Sequence, residues 1–250
     1  SLDPMGFWEH AVGTALLSQS LARAVRFEAP GEAFVAGLLH DIGKMALDCV
    51  ETQAYREVLT CVRRRRILLR EAERERFGET HAFFGESLAR RWKLPDEIRT
   101  VISHHHLPQS IERESYRIVQ LVRIVCLADI LCRGAGIGWA GDVVLEEGPS
   151  RLWSLLRIPR ERLHQLVHQT VRELAAIKEQ LGLAASAAAV AEDPRRPHLL
   201  VVAEGDRPVL FPCLALRNEP IRISVAEDWT VLQARLGSED RPDAVLVDAA

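Results

Sequence analysis

At 250 residues, with 48% hydrophobic and 27% charged residues, the chain has the composition of an ordinary globular protein with room for one large domain and a smaller one, which excludes disordered and fibrous classes. A formal net charge of -3 argues against a general nucleic-acid binder, and no direct nucleic-acid contact is expected; the cations are nearly all arginine, with Lys44, Lys93 and Lys178 as the lysines. The longest apolar run, Ile118 to Cys132, is broken by Gln120, Arg123 and Asp129, so no stretch reaches the roughly 18 to 20 residues that cross a bilayer.

There is no signal-peptide pattern. The cysteines at 49, 61, 126, 132 and 213 form no C-x-x-C pair and lie mostly in apolar helical contexts, which reads as buried free thiols in a reducing cytoplasm. Ser1-Leu2 reads as an expression remnant, and the chain as an excised fragment that enters a helix almost at once.

In chain order, Val12, Leu16, Leu17, Leu21 and Val25 recur at helical spacing between Phe7 and Phe27, with His10 in the first turn and Pro30-Gly31 closing the segment. A second helix from about Glu32 to Leu39 carries His40-Asp41 at its end, where Gly43 breaks it or permits close packing. Residues 52 to 76 read as one long polar helix containing Arg63 to Arg66, and a further helix from Thr80 to Trp92 opens with His81. After Leu94-Pro95-Asp96, a short helix with Ile98, Val101 and Ile102 on one face delivers His104, His105 and His106, and Pro108 stops it.

Tyr116 to Cys132 is apolar on nearly every side, the pattern of a central buried helix, and Asp129 sits inside it. Glycines 134, 136, 138 and 141 make a loop, and Pro159 to Leu181 is a final amphipathic helix. The alanine-rich run from Ala184 to Pro197 reads as a linker. Beyond it, His198 to Ala203, Ile221 to Val225 and Asp243 to Val247 are strand-like, with segments between them that suit helices in a β-α-β-α-β order. The fold class expected is mainly α: a helical bundle over residues 6–182, a linker over 183–197 and a small, incomplete α/β segment over 198–250.

Imidazoles and carboxylates spaced tens of residues apart, each on its own helix, are the parts of a dinuclear metal site in a helical bundle. Adjacent residues on a helix point about 100° apart, so His40 and Asp41 can serve one small site only at a helix end or by straddling two ions. A bridging carboxylate resolves this: His10, His40 and Asp129 would hold one ion, His81, His105 and His106 a second, and Asp41 would lie between. Mixed imidazole and carboxylate ligation suits iron, manganese or zinc, with iron the first candidate. Two such ions can lower the pKa of a bridging water and clamp both oxygens in phosphoester hydrolysis. Lys44, one turn beyond His40 and Asp41, shares their face and is placed to contact a phosphate oxygen.

Structural alternatives stand beside these assignments. Asp129 would equally be satisfied by Arg133 or Arg123, and His104-His105-His106 by solvent and the helix C-terminal dipole. Arg63 to Arg66 reads as a solvated face or a partner contact. His164 and His168 lack the glutamate of a zincin motif and read as a surface pair.

Phe7-Trp8-Glu9-His10, Gly37-Leu38-Leu39-His40-Asp41-Ile42-Gly43, Phe77-Gly78-Glu79-Thr80-His81, Trp92-Lys93-Leu94-Pro95 and His105-His106-Leu107-Pro108, in this order, resemble the HDOD domain family, a branch of the HD superfamily. The likeness covers about residues 6 to 138 and implies an all-helical module of bacterial signalling proteins and response regulators. By position, His10, His40, Asp41, His81, His105, His106 and Asp129 match the metal ligands of the related HD-GYP phosphodiesterases, which hydrolyse cyclic di-GMP, and Lys44 matches their lysine after the HD pair. The chain departs from HD-GYP at Leu107-Pro108-Gln109, which stands where the substrate loop would follow, and at Gly6, which replaces a glutamate that supports a third ion in some relatives. The N-terminal helical part usual in HDOD proteins does not precede residue 6.

The segment after the linker resembles the first half of a receiver domain, with Asp248 at the phosphoacceptor position and Glu204 and Asp206 standing for the acidic pair. Phosphotransfer by these residues alone is not expected. The resemblance therefore implies a cytoplasmic signal-transduction regulator of response-regulator type, with a dinuclear metal site in a regulatory or scaffold module. The alternative is a metal-dependent phosphodiesterase acting on a nucleotide or cyclic dinucleotide, with Asp41 and Lys44 as its catalytic residues. An iron-based redox or oxygen sensor is a third reading. The partners expected are signalling proteins, with a nucleotide ligand and a homodimer as further options, and no membrane.

Overall fold

The computed structural model describes residues 1–111, 113–144, 152, 155–183, 198–203, 222–226 and 244–248. The chain divides into two units, residues 1–174 and 175–250. The first is a helical bundle. No helix among the described residues is long and apolar enough to cross a membrane.

Helix α1 (Pro4–Ala24) starts at Asp3, whose carboxylate accepts hydrogen bonds from the amides of Met5 and Gly6, and has Pro4 at its first position, where a missing N–H costs nothing. It is followed by α2 (Pro30–Leu39), α3 (Ile42–Val50), α4 (Thr52–Arg65), α5 (Leu69–Phe77), α6 (His81–Arg91) and α7 (Asp96–His104). A 3-10 turn (Pro108–Ile111) leads to α8 (Tyr116–Gly134), and α9 (Arg160–Gln180) follows later. Helix α8 buries Val119, Leu121, Val122, Ile124, Val125, Leu127 and Ala128 against Leu17 and Leu21 of α1, Ala33 and Ala36 of α2 and Val101 and Ile102 of α7, as its all-round apolar sequence predicts. Leu163, Leu166 and Leu174 of α9 join the same core.

The polar stretch 52–76 differs from its expectation: it is two helices. Arg66 takes a left-handed conformation (φ 54°) as the C-cap of α4, and the chain turns so that Ile67, Leu69 and Ala72 close a second core with Tyr55, Val58, Leu59 and Val62. Burial of these apolar side chains outweighs the helix propensity of an arginine-rich run. Leu2, read as a remnant, is buried in that second core as well. Of the cysteines, Cys126 and Cys132 are buried thiols outside any disulfide, as expected, whereas Cys49 is exposed and Cys61 half-buried; Cys213 lies outside the described residues.

Glycine decides how closely α3 and α6 approach. A Cβ on Gly43 would lie 1.9 Å from the carbonyl oxygen of His81 and 2.7 Å from the amide nitrogen of Gly85, so the two backbones touch where the HD pair meets His81. After α8 the chain returns to α1 in the same way. Gly138, at φ +64°, sits where a Cβ would fall 1.9 Å from the His10 amide nitrogen, and the Trp139 amide donates to the Gly6 carbonyl at 2.7 Å.

In the second unit, β1 (His198–Ala203), β2 (Arg222–Ala226) and β3 (Ala244–Asp248) form a parallel sheet in the order β2-β1-β3, with Val201 paired to Val225 and Leu246. Most of the expected linker, residues 184–197, the segments between the strands, and Glu204 and Asp206 lie outside the described residues.

Gly43→Ala should destabilise the fold by about 1–3 kcal/mol, because the added methyl must push α3 off α6. Urea unfolding followed by circular dichroism measures this, and an unchanged midpoint would contradict the contact.

Candidate metal centre

The elements deliver their polar residues at helix ends and into the buried side of the bundle. His10 lies in the second turn of α1, His40 and Asp41 at the α2–α3 junction, His81 at the start of α6, His105 and His106 just past α7, and Asp129 on α8. The backbone explains how His40 and Asp41 serve one centre. His40 still has helical angles, while Asp41 (φ -100°, ψ 12°) occupies the bridge region and turns the chain into α3.

All seven residues come together. Asp41 Oδ2 faces His10 Nε2 at 3.7 Å and His40 Nε2 at 3.4 Å, while its Oδ1 faces His81 Nε2 at 3.4 Å and His105 Nε2 at 3.5 Å. Asp129 Oδ1 lies 3.2 Å from His10 Nε2 and 3.7 Å from His40 Nε2. His106 Nε2 is 2.9 Å from His81 Nε2. Two donor groups result, His10, His40 and Asp41 on one side and Asp41, His81, His105 and His106 on the other, each with ligand atoms within 4.8 Å of one another. His104 is not in either; its Nδ1 lies 3.1 Å from the Thr100 carbonyl and 2.6 Å from the Ser103 hydroxyl. Nor are His164 and His168, on α9.

Each ring is turned by what stands behind it. The Nδ1 atoms of His40, His105 and His10 face the carbonyls of Gly37 (2.7 Å), Ile102 (2.9 Å) and Ile137 (3.4 Å), and that of His81 faces Glu73 Oε2 at 2.6 Å. With Nδ1–H donating outward, a neutral ring presents its Nε2 lone pair to the centre. The Nε2 atoms of His10, His40 and His105 and the Oδ1 of Asp41 are buried without a hydrogen bond, while Asp41 Oδ2 has the Lys44 ammonium beside it. Convergent, buried donors of this type fit divalent cations, which would offset the desolvation cost of the unsatisfied ones.

Charge points the same way. Among the described residues, Asp41, Asp129 and Asp142 share two fixed cations, Lys44 and Arg133, and Glu73 pairs with His81. Lys44 Nζ contacts Asp41 Oδ2 at 2.8 Å and Asp142 Oδ2 at 2.7 Å. Arg133 contacts Asp129 Oδ2 at 2.8 Å and Asp142 Oδ1 at 3.6 Å. Burial acts to raise the Asp41 carboxyl, but His40 and Lys44 overcome it and hold it well below the usual carboxylate range; Arg133 and His10 do the same for Asp129. Burial acts to lower the His40 imidazole, yet Asp41 and Asp129 push it up to about 10. Burial dominates at His105 and His106 and lowers both, with help at His106 from the neighbouring His105 and His81.

The Asp129–Arg133 pair shows that the structural reading of Asp129 and its place in the cluster coexist: one oxygen serves the arginine, the other the imidazoles. Glu73, Tyr55 and Asp142 were not legible as site residues. Glu73 stands in a run of alternating charges, and only its spacing from Leu69 and Ala72, both buried on α5, marks it as facing inward. Asp142 follows a glycine-rich loop whose return to α1 depends on tertiary packing.

Residues 1–108 match the HDOD domain model, which takes in six of the seven cluster residues and ends before Asp129. An uncharacterised protein of Treponema pallidum (strain Nichols) is 30% identical over 178 residues, 66% of this chain and 31% of that protein, so the match spans about a third of the relative. Among solved structures, an HDOD domain protein of unknown function from Geobacter sulfurreducens superposes with a TM-score of 0.56 at 27% identity, over 74% of this chain and 63% of that one. A signal-transduction protein from Marinobacter aquaeolei VT8 gives 0.59 at 23% identity, over 74% and 40%, and shares the fold.

Asp41→Ala removes the one carboxylate common to both donor groups and half of the charge around Lys44. The variant should lose about 3 kcal/mol of stability and retain less metal than the parent chain after identical loading. A variant with the parent's melting temperature and metal content would contradict the geometry.

Proposed function

From a chain whose residues 1–108 form a domain of the HDOD family, we propose a cytoplasmic signal-transduction regulator of response-regulator type whose helical domain holds two divalent ions as part of a regulatory scaffold. His10, His40, Asp129 and one oxygen of Asp41 would hold the first ion; His81, His105, His106 and the other oxygen of Asp41 would hold the second. Iron is the first candidate on donor chemistry, with manganese and zinc next. Such a pair, when bound, supplies Lewis-acid polarisation and an activated water.

The observation that carries the scaffold reading over hydrolysis is the position of Lys44. Its side chain is 1% exposed and its ammonium lies within 2.8 Å of both Asp41 and Asp142. A phosphate-bearing ligand would have to displace Asp142 and bury a further anion among four carboxylates to reach it. Lys44 instead holds Asp41 in register. The competing phosphodiesterase reading draws on the complete donor set and on His106, which is only half-buried and offers the cluster's most accessible edge.

The parallel order β2-β1-β3 supports reading the second unit as receiver-like, since the first three strands of a doubly wound 2-1-3-4-5 sheet have the same order, and Asp248 ends β3. Signalling proteins are the partners this organisation suits, with a nucleotide ligand and self-association into a homodimer as further interactions.

Metal analysis after loading with iron, manganese or zinc should find two ions per chain, and the loaded protein should not hydrolyse bis-p-nitrophenyl phosphate or cyclic dinucleotides. Turnover that Asp41→Ala abolishes would establish the phosphodiesterase instead. Failure to take up any of the three metals would overturn both readings.

A further inference from the structure

Glu73 is fully buried on α5 and pairs with the His81 imidazole. Its Oε2 accepts from the His81 amide at 2.9 Å and faces His81 Nδ1 at 2.6 Å; its Oε1 accepts from the Tyr55 hydroxyl at 2.9 Å. A carboxylate behind a ligating imidazole fixes its tautomer and raises its basicity more than a carbonyl does. The rings of His40, His105 and His10 have backbone carbonyls behind them instead, those of Gly37, Ile102 and Ile137.

The opposite half of the cluster is weakened where this half is strengthened. Asp41 Oδ2, which faces His10 and His40, is also the oxygen that Lys44 contacts at 2.8 Å, and Asp129 shares its charge with Arg133 at 2.8 Å. Both carboxylates of that half are thus partly neutralised by buried cations. Asp41 Oδ1, facing His81 and His105, has no such contact among the described residues.

We propose that Glu73, held by Tyr55, is a positioning residue that makes the two halves unequal, so that a divalent cation fills the His81–His105–His106 half first and the His10–His40–Asp129 half second. The inference rests on the two-ion reading above and adds an order of loading to it. A purely structural role for Glu73, capping the amide of His81 at the start of α6, would stabilise the bundle without ranking the halves.

The test is a Co2+ titration of the full chain after chelator stripping, followed by visible absorption and calorimetry, with thermal melting of the metal-free form in parallel. Glu73→Gln keeps an oxygen acceptor behind His81, removes the charge and turns an NH2 donor toward the Tyr55 hydroxyl, which can accept from it. The parent chain should bind Co2+ in two resolved steps. In Glu73→Gln the tighter step should weaken about 10–100-fold, with a shifted absorption band, while the weaker step stays in place. Tyr55→Phe should weaken the same step by a smaller factor. If Glu73→Gln weakens both steps equally, or neither, or if the parent binds two ions in one unresolved step, the ranking is wrong while the two-ion reading stands. If the parent binds no Co2+, the two-ion reading fails and this inference with it.

Discussion

A carboxylate buried among four imidazoles sets the terms for this bundle. Asp41 has 2% exposure and meets the Lys44 ammonium on one oxygen alone, so the rest of its charge must be balanced by what the surrounding helices bring to it. The rest of the architecture answers to that requirement: α1 supplies His10, α6 and the end of α7 supply His81 and His105, and Lys44 returns from the first turn of α3. Each comes from a different part of the chain, so the centre exists only in the folded bundle. Divalent ions bound between these groups would stabilise the folded state by mass action.

Close approach is what makes such convergence possible. The imidazoles lie 3.4 to 3.7 Å from a shared carboxylate, and the glycines at 43, 85 and 138 remove the Cβ atoms that would hold the backbones carrying them apart. The loop after α8 is as much a part of the centre as the helices. It lies on α1 at His10, and it carries Asp142 to Lys44 and Arg133. A network running Asp41, Lys44, Asp142, Arg133, Asp129 thereby ties the two carboxylates of the cluster together from behind.

Much of this could be read from the residues. The apolar periodicity of α1 and α8, the proline and glycine stops, and the odd placement of an HD pair at the end of an apolar helix all point to a helical bundle with a two-sided centre, and the geometric argument that adjacent residues need a helix end holds at Asp41. What could not be read depends on packing between distant segments. The break at Arg66 has no glycine or proline to announce it, because Ile67 and Leu69 gain more by entering a core than by continuing a helix. Glu73 resembles the exposed glutamates around it until Tyr55 and His81 close over it. Lys44 illustrates the limit best: its spacing puts it beside the HD pair, but only the return of Asp142, 98 residues later, shows that its charge is already spent.

Whether one carboxylate divides a centre for two metals is decided by anomalous diffraction from crystals of the chain loaded with Mn2+ or Fe2+. Two peaks about 3.5–4 Å apart are expected, one beside each oxygen of Asp41, with His10 and His40 on one side and His81, His105 and His106 on the other. A single peak, or peaks away from Asp41, would contradict it.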